Sequence, residues 1–541
     1  MRLLSRRKVL ELAGGGASLL ALDWPLSARA AQPVVLRRSN GAEPDSLDPH
    51  KTSGTWEANI IGDMLIGLMT EDMSGRPIYG SAMSHTESAD GLGYTFKLRA
   101  MTWSDGTPLT ADDFVFAFQR ILNPATASRY ASLVYPIKNA QAVNGGKLPL
   151  TALGARAADP QTLEVTLENP TPYFINLLVH HTMFPVPRHV IDKVGDAWIK
   201  PEYIQVNGAY KLVEWVPNSI IRLARNTRFY DVANVQIDEI DYYPIADNSV
   251  ALQRFRAGAL DVTNDFPTRE YQKLKSGGYT EVKPSEVHVF PYVATTYVLF
   301  NTQKPPFTDP QVRRALSLAI DRSAITDKIL GTGQVPAYSL VPHGMANYDD
   351  GPELDFKEWP MDKRLAEAKR LLQSAGFTPD KPLRFTYRYR ENVDTQRIAV
   401  ALQAMWKTIG VDVQLLNSET ATHYNALRTQ DFDVADAGWV ADYNDAEDFL
   451  FMLQSSAGQM NYGKYNNARY DALMAQAAQT HDLAARAGIL KQAEQIELAD
   501  EPLAPLFYSV SRSLVKDYVK GWQDNVLDWH RSRYLRIERS P

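Results

Sequence analysis

Catalysis needs nucleophiles, metal ligands or paired acids and bases at workable spacings, and this chain supplies few. Cysteine is absent from all 541 residues. That removes thiolate nucleophiles, disulfides, thiolate zinc and iron–sulfur sites, and the acylated cysteine of a lipoprotein anchor. The ten histidines are scattered apart from His180-His181. This pair sits between a strand-like run and Pro185, and neighbours on a strand face opposite ways, so the two are not expected to share a metal. Gly331-Thr-Gly333 lacks the third glycine and the strand-before-helix setting of a nucleotide loop, and reads as a turn. No G-x-S-x-G, H-E-x-x-H or G-x-x-x-x-G-K-[ST] occurs. The 63 acidic residues are too many to nominate a catalytic pair. No cofactor or metal site is expected, and the balance favours binding without reaction. A peptidase or amidase of unfamiliar type stays open.

Charge narrows the partners. With 57 basic and 63 acidic residues the net charge is −6, whereas a nucleic-acid binder normally carries a basic excess. Residues Arg2, Arg6, Arg7 and Lys8 precede a mostly apolar, glycine-rich stretch from Val9 to Leu22, then Ala28-Arg29-Ala30. That order is a charged n-region, an apolar h-region and an A-x-A cleavage site, so residues 1–30 read as an export signal. The adjacent arginines in Ser5-Arg6-Arg7-Lys8 resemble a twin-arginine signal. Downstream no apolar run reaches the ~18 residues a membrane span needs.

The elements that must position any site alternate strand and helix. Tyr94–Arg99 and Leu163–Leu167 alternate apolar and polar residues, the pattern of half-buried strands. Thr110-Ala-Asp-Asp113 reads as a capping box before the apolar Phe114–Phe118. Val206–Trp215 reads as a turn feeding a strand, and Pro310 opens a helix through Val312, Leu316 and Ile320. Leu365, Ala368, Leu371, Leu372 and Ala375 share a helical face that Gly376 would stop. The fold class is therefore α/β with mixed sheets, and the length suggests about three domains.

Several segments go further. Arg38-Ser-Asn-Gly41 and Ser46-Leu-Asp-Pro-His-Lys51 resemble the start of the bacterial periplasmic oligopeptide-binding proteins, capture subunits of ABC importers (solute-binding family 5, cluster C). The resemblance continues in order through Trp103–Pro108, Thr126–Ser132, Leu177–His180, Val206–Lys211, Ala315–Arg322 and Ala437–Asn444. It implies a type II periplasmic-binding-protein clamshell: lobe I from residues 31–65, 188–290 and 510–541, an inserted domain II from 66–187, and lobe III from 291–509. It also implies a short peptide held extended between the lobes, a membrane permease as partner, no membrane insertion of its own, and a monomer in the periplasm. Backbone pairing of β-augmentation type suits such a ligand, being indifferent to side chains. Two to five residues at ~3.3 Å each span about 7–17 Å.

Residue by residue, the resemblance gives Asp442 as partner of the peptide ammonium, although a turn aspartate before the helix expected at Phe449–Leu453 would look the same. It gives Gly438, Trp439 and Val440 as the segment bonding the peptide backbone, faced by Ser53, Gly54 and Thr55. Tyr130, Tyr508 and His180 are expected to line the cleft. Where the family's peptide binders carry an arginine for the peptide carboxylate, this chain has Asp436, which if buried and unpaired would repel a carboxylate. A stacking tryptophan becomes Thr420, a histidine falls near Asp394-Thr395, and a second arginine falls at Leu427 with Arg428 beside it. One residue turns a helix by about 100°, so Arg428 is a candidate carboxylate partner alongside Arg388 and Arg390. A cationic or amidated peptide-like ligand, a murein peptide, an opine-like compound or a metal complex are the alternatives.

Overall fold

The alternating segments become strands whose apolar sides meet. In Gly93–Leu98, Tyr94, Phe96 and Leu98 are buried, and Phe96 lies opposite Leu163 of Thr162–Thr166 in an antiparallel pair. Ala82–Glu87 and Ala155–Asp159 complete this four-stranded sheet. Helix Ala111–Leu122 packs against it, burying Phe114, Phe118 and Ile121. It opens with the expected capping box, Thr110 N–H donating to Asp113 Oδ2 at 2.8 Å. The computed structural model describes residues 32–349 and 351–539, so the expected export signal at 1–30 lies outside the described residues.

A second sheet joins chain segments distant in sequence. Val35–Ser39 runs parallel to Glu239–Tyr243, followed by Ile220–Arg225 and Tyr210–Val216 in antiparallel order. The C-terminal tail closes beside it: Arg38 donates to the His530 carbonyl at 2.8 Å and to Ser532 Oγ at 2.9 Å.

The third sheet has six strands in the order Val335–Pro336, Leu503–Leu514, Val287–Phe300, Val434–Val440, Arg384–Arg390, Asp412–Ser418. Helix Pro310–Leu318 is capped by Asp309, whose Oδ1 accepts from Gln311 N–H at 2.9 Å. Helix Met361–Ser374 ends at Gly376, where φ of +86° needs a residue without Cβ. Phe307, Phe385, Tyr387 and Trp406 fill the core between this sheet and its helices.

Two long strands carry the third sheet toward the second. Val287–Pro291 pairs with Val510–Leu514, and Thr295–Leu299 with Leu503–Tyr508, with the register broken between Pro291 and Thr295. Leu514 N–H reaches Thr263 Oγ1, and Val262 bridges Val515. A ladder interrupted at that point can bend there more readily than a continuous one. On the far side Tyr173 of the inserted segment stacks on Tyr443, centroids 4.9 Å apart and planes within 8°. Arg486 lies over the Tyr173 ring and forks onto Asp445 at 2.8 and 2.9 Å. Among the described residues no helix is long and apolar enough to cross a membrane.

Helix Leu483–Asp500 buries Glu494 and Glu497 together. Both Glu497 carboxyl oxygens are buried without a hydrogen-bond partner among the described residues, and burial, reinforced by Glu494, pushes this carboxyl well up. The folded state then holds a proton the unfolded chain releases near pH 4.3, so this group costs stability as pH rises above that value. Glu497→Met should raise unfolding free energy at pH 8 by about 1 kcal/mol or more. The gain should shrink toward pH 4, measured by urea unfolding at both values.

Candidate functional site

Strand Val434–Val440 is the floor of a cleft. One edge pairs along its length with Phe300–Ala294. On the other, pairing with Arg384–Arg390 stops after Tyr387–Val434 and Arg388–Ala435. The Asp436 carbonyl is then taken by His423 Nε2 at 2.8 Å. Beyond it Gly438, Trp439 and Val440 carry an edge with no strand partner among the described residues, and they line a chamber of about 230 Å³. An adjoining chamber of about 400 Å³ shares Trp56, Tyr292, Thr296, Arg390, Val440 and Ser509. These volumes suit a small-molecule site.

Asp442 lies just past the strand. Its backbone N–H donates to Asp448 Oδ2 at 2.9 Å, which also accepts from Trp439 Nε1 at 3.2 Å. Burial, with the Asp442 carboxylate beside it, pushes the Asp448 carboxyl well up. Asp442 Oδ1 lies 3.2 Å from His180 Nε2, while Oδ2 is buried with no hydrogen-bond partner among the described residues. His180 Nδ1 accepts from Thr182 N–H at 3.4 Å, which leaves the Nε2 proton for Asp442. Tyr130 packs against the same histidine, 5.2 Å between centroids, and 6.4 Å from the Trp439 ring.

The histidine pair corrects the strand expectation. His180 is the N-cap of a short 3₁₀ turn, His181–Met183, and the two rings lie side by side with centroids 4.1 Å apart. A capping side chain folds back over its own turn, so the two-residue alternation of a strand does not apply.

Ser53, Gly54 and Thr55 line the same chamber from the N-terminal segment. The Gly54 N–H is committed, donating to Glu57 Oε2 at 2.7 Å. Burial pushes the Glu57 carboxyl up to about 7. Arg428 also lines this chamber, whereas Leu427 is fully buried in the core. The offset by one residue therefore places the cation on the cleft side of helix Thr420–Thr429.

The condition placed on Asp436 is not met, and the expectation for Tyr508 is corrected. Asp436 is not an unpaired anion: Arg390 Nε donates to its Oδ2 at 2.7 Å. Burial opposes the Asp436 charge, but Arg390 outweighs it and holds the carboxyl below its ordinary range. The cation stands one strand over, and the pair cancels the repulsion expected of Asp436. Tyr508 does not line either chamber. Its hydroxyl lies against Ser339 Oγ and reaches the Ser339 and Val341 carbonyls at 3.4 Å, while Phe507 and Ser509 face the cleft.

Sequence reasoning missed Trp56, Arg129, Tyr292 and Trp529, all lining the cleft. Trp56 directly follows Ser53-Gly-Thr55 and leaves its indole N–H buried without a hydrogen-bond partner among the described residues. That adjacency was the available signal.

Residues 76–461 match the model of the bacterial extracellular solute-binding proteins, family 5, middle region. The chain is 41% identical over 522 residues to the periplasmic oligopeptide-binding protein OppA of Escherichia coli K12, covering 95% of this chain and 94% of that one. The crystal structure of Haemophilus influenzae OppA in complex with RPPGFSPFR superimposes with a TM-score of 0.90 at 37% identity, covering 94% and 99%. The E. coli murein tripeptide binding protein MppA gives 0.90 at 37% identity, covering 94% and 99%. Its unliganded open form gives 0.66 at 38% identity, covering 94% and 98%, so the lobes here are arranged unlike that open form. The shared architecture is the type II periplasmic-binding α/β clamshell with an inserted domain. In sequence and in three dimensions alike, this chain belongs to family 5 of the bacterial extracellular solute-binding proteins.

Proposed function

We propose that this protein captures short peptides in extended form in the periplasm and delivers them to an ABC permease, without chemical reaction. The observation that carries this reading is Asp442 Oδ2, a buried carboxylate oxygen with no hydrogen-bond partner among the described residues, at the end of a strand edge left unpaired by them. A buried acceptor without a donor is costly, and a ligand ammonium supplies donor and charge together. From there the chain of the ligand runs along Gly438–Val440 as an added strand, with Tyr130 and His180 closing over its first residue and Ser53–Thr55 opposite. The relatives named above are peptide-binding proteins, which supports a peptide over other solutes.

On this reading residues 1–30 direct export by the twin-arginine route, and the mature chain acts as a monomer. Its lobes comprise 31–65, 188–290 and 510–541 on one side and 291–509 on the other, with domain II at 66–187. Closure is a hinge motion in which the ligand stabilises the closed state by its differential affinity.

Thermal unfolding of the ligand-stripped mature protein tests the assignment. A tripeptide with a free amine at 100 times its dissociation constant should add about 2.7 kcal/mol, and its N-acetyl form should add nothing. If no peptide shifts the transition, the peptide assignment fails.

A further inference from the structure

One short stretch of the inserted segment touches two consecutive residues of the large C-terminal lobe. Inside the cleft, His180 Nε2 lies 3.2 Å from Asp442 Oδ1. Earlier on the same stretch Tyr173 stacks on Tyr443, centroids 4.9 Å apart and planes within 8°. This stack belongs to neither ligand chamber; with Glu447 and Arg486 it lines a separate cavity of about 690 Å³. The lobe side of the stack is firmly held. The Tyr443 hydroxyl donates to Glu447 Oε2 at 2.5 Å, and its carbonyl accepts from Asp445 N–H at 3.0 Å. The buried Arg486 forks onto the buried Asp445 and also lies over the Tyr173 ring, 5.2 Å from its centroid. Burial leaves that cation–ring contact little screened. The turn that offers this surface to the inserted segment is the one that carries Asp442, whose N–H it ties to Asp448.

We propose that Tyr173, Tyr443 and Arg486 form a latch outside the cleft, made as the lobes close, that retains the ligand without touching it. The inference rests on the binding-protein reading for closure, and not on which solute is bound. Tyr173 and Tyr443 are then positioning residues: their stack holds Asp442 against the segment that carries His180. A contact made only on closure opposes opening and slows dissociation, whereas encounter with the open cleft precedes it and keeps its rate. An aromatic pair backed by a cation is worth about tenfold in that equilibrium.

Stopped-flow tryptophan fluorescence of the mature full chain with Ala-Ala-Ala separates the two rates. Dissociation should accelerate about tenfold in Tyr173→Ala and in Tyr443→Ala, with association within about twofold of the native rate. Tyr173→Phe keeps the stacked ring and should stay close to native. Unchanged dissociation in Tyr173→Ala overturns the latch, as does a loss confined to association, which marks a merely structural contact. Tyr443 is buried, whereas Tyr173 is half-buried on the opposite segment, so the second variant decides if the first does not fold. A second measurement needs no ligand. The chain has no cysteine, so Lys147→Cys and Lys369→Cys, at exposed positions of the inserted segment and of helix Met361–Ser374, take spin labels at those two places alone. In the ligand-free protein the closed-to-open ratio read from pulsed-resonance distances should fall about tenfold in Tyr173→Ala. Identical distributions in the native protein and the variant overturn the latch. If Ala-Ala-Ala does not bind the native protein, the peptide reading loses its support there, and the ligand-free distances alone decide the latch.

Discussion

Asp442→Asn should weaken binding of free-amine peptides by about 100-fold or more, because the ligand ammonium would enter a buried site without its counter-charge. The substitution keeps an acceptor for His180 Nε2, now 3.2 Å from Oδ1, so the fold loses little. What changes is the second oxygen, buried and unpartnered in the native protein, which becomes a donor or a neutral acceptor. At a peptide concentration 100 times the native dissociation constant, stabilisation should fall from about 2.7 to about 0.4 kcal/mol. N-acetyl peptides, already excluded, should bind the variant no worse than the native protein. Calorimetric titration with matched free and acetylated tripeptides measures both. Native-like affinity for the free amine, within about threefold, would show that Asp442 serves only the turn before Glu447–Leu450.

Arg390→Ala should destabilise the protein by about 2–3 kcal/mol at pH 7, because it leaves the carboxylate of Asp436 buried without its cation. The figure sits below the range for a fully enclosed pair since the Arg390 side chain is 28% exposed and partly screened. The pH dependence follows from the direction of the Asp436 shift. With Arg390 present the carboxyl is held below its ordinary range, so the pair stabilises above the unfolded value near 3.9 and is lost as pH falls through the folded one. Without Arg390, burial is unopposed and the folded state takes up the proton more readily than the unfolded chain. Stability of the variant then declines as pH rises above about 4. The deficit should therefore be smaller at pH 4.5 than at pH 7, and Arg390→Ala/Asp436→Asn should recover most of it. Urea unfolding of the four proteins at both pH values tests this. A deficit equal at both values, with no recovery in the double variant, would show that Arg390 acts through packing on Tyr424.

Much of the scaffold is legible without coordinates because it rests on interactions between near neighbours. Alternation in Gly93–Leu98 and Thr162–Thr166 has one face buried and one wet. The Thr110–Asp113 box and the Gly376 stop satisfy orphan backbone groups within a single turn.

What escapes the sequence is set by pairs far apart in the chain. Arg390 and Asp436 are 46 residues apart and meet just past the point where the pairing of their strands ends. The resemblance places Tyr508 in the cleft, but on strand Leu503–Leu514 its neighbours Phe507 and Ser509 face the cleft, and alternation sends Tyr508 to the other face. The His180–Asp442 contact exists because an inserted segment folds over a strand more than 250 residues downstream. Residue types and local patterns alone determine that this chain makes α/β elements, lacks thiol chemistry and resembles a binding family. Which charges are cancelled and which are left for a ligand is decided by the tertiary structure, because a charge's effect depends on distance and burial, and neither is a property of one chain position.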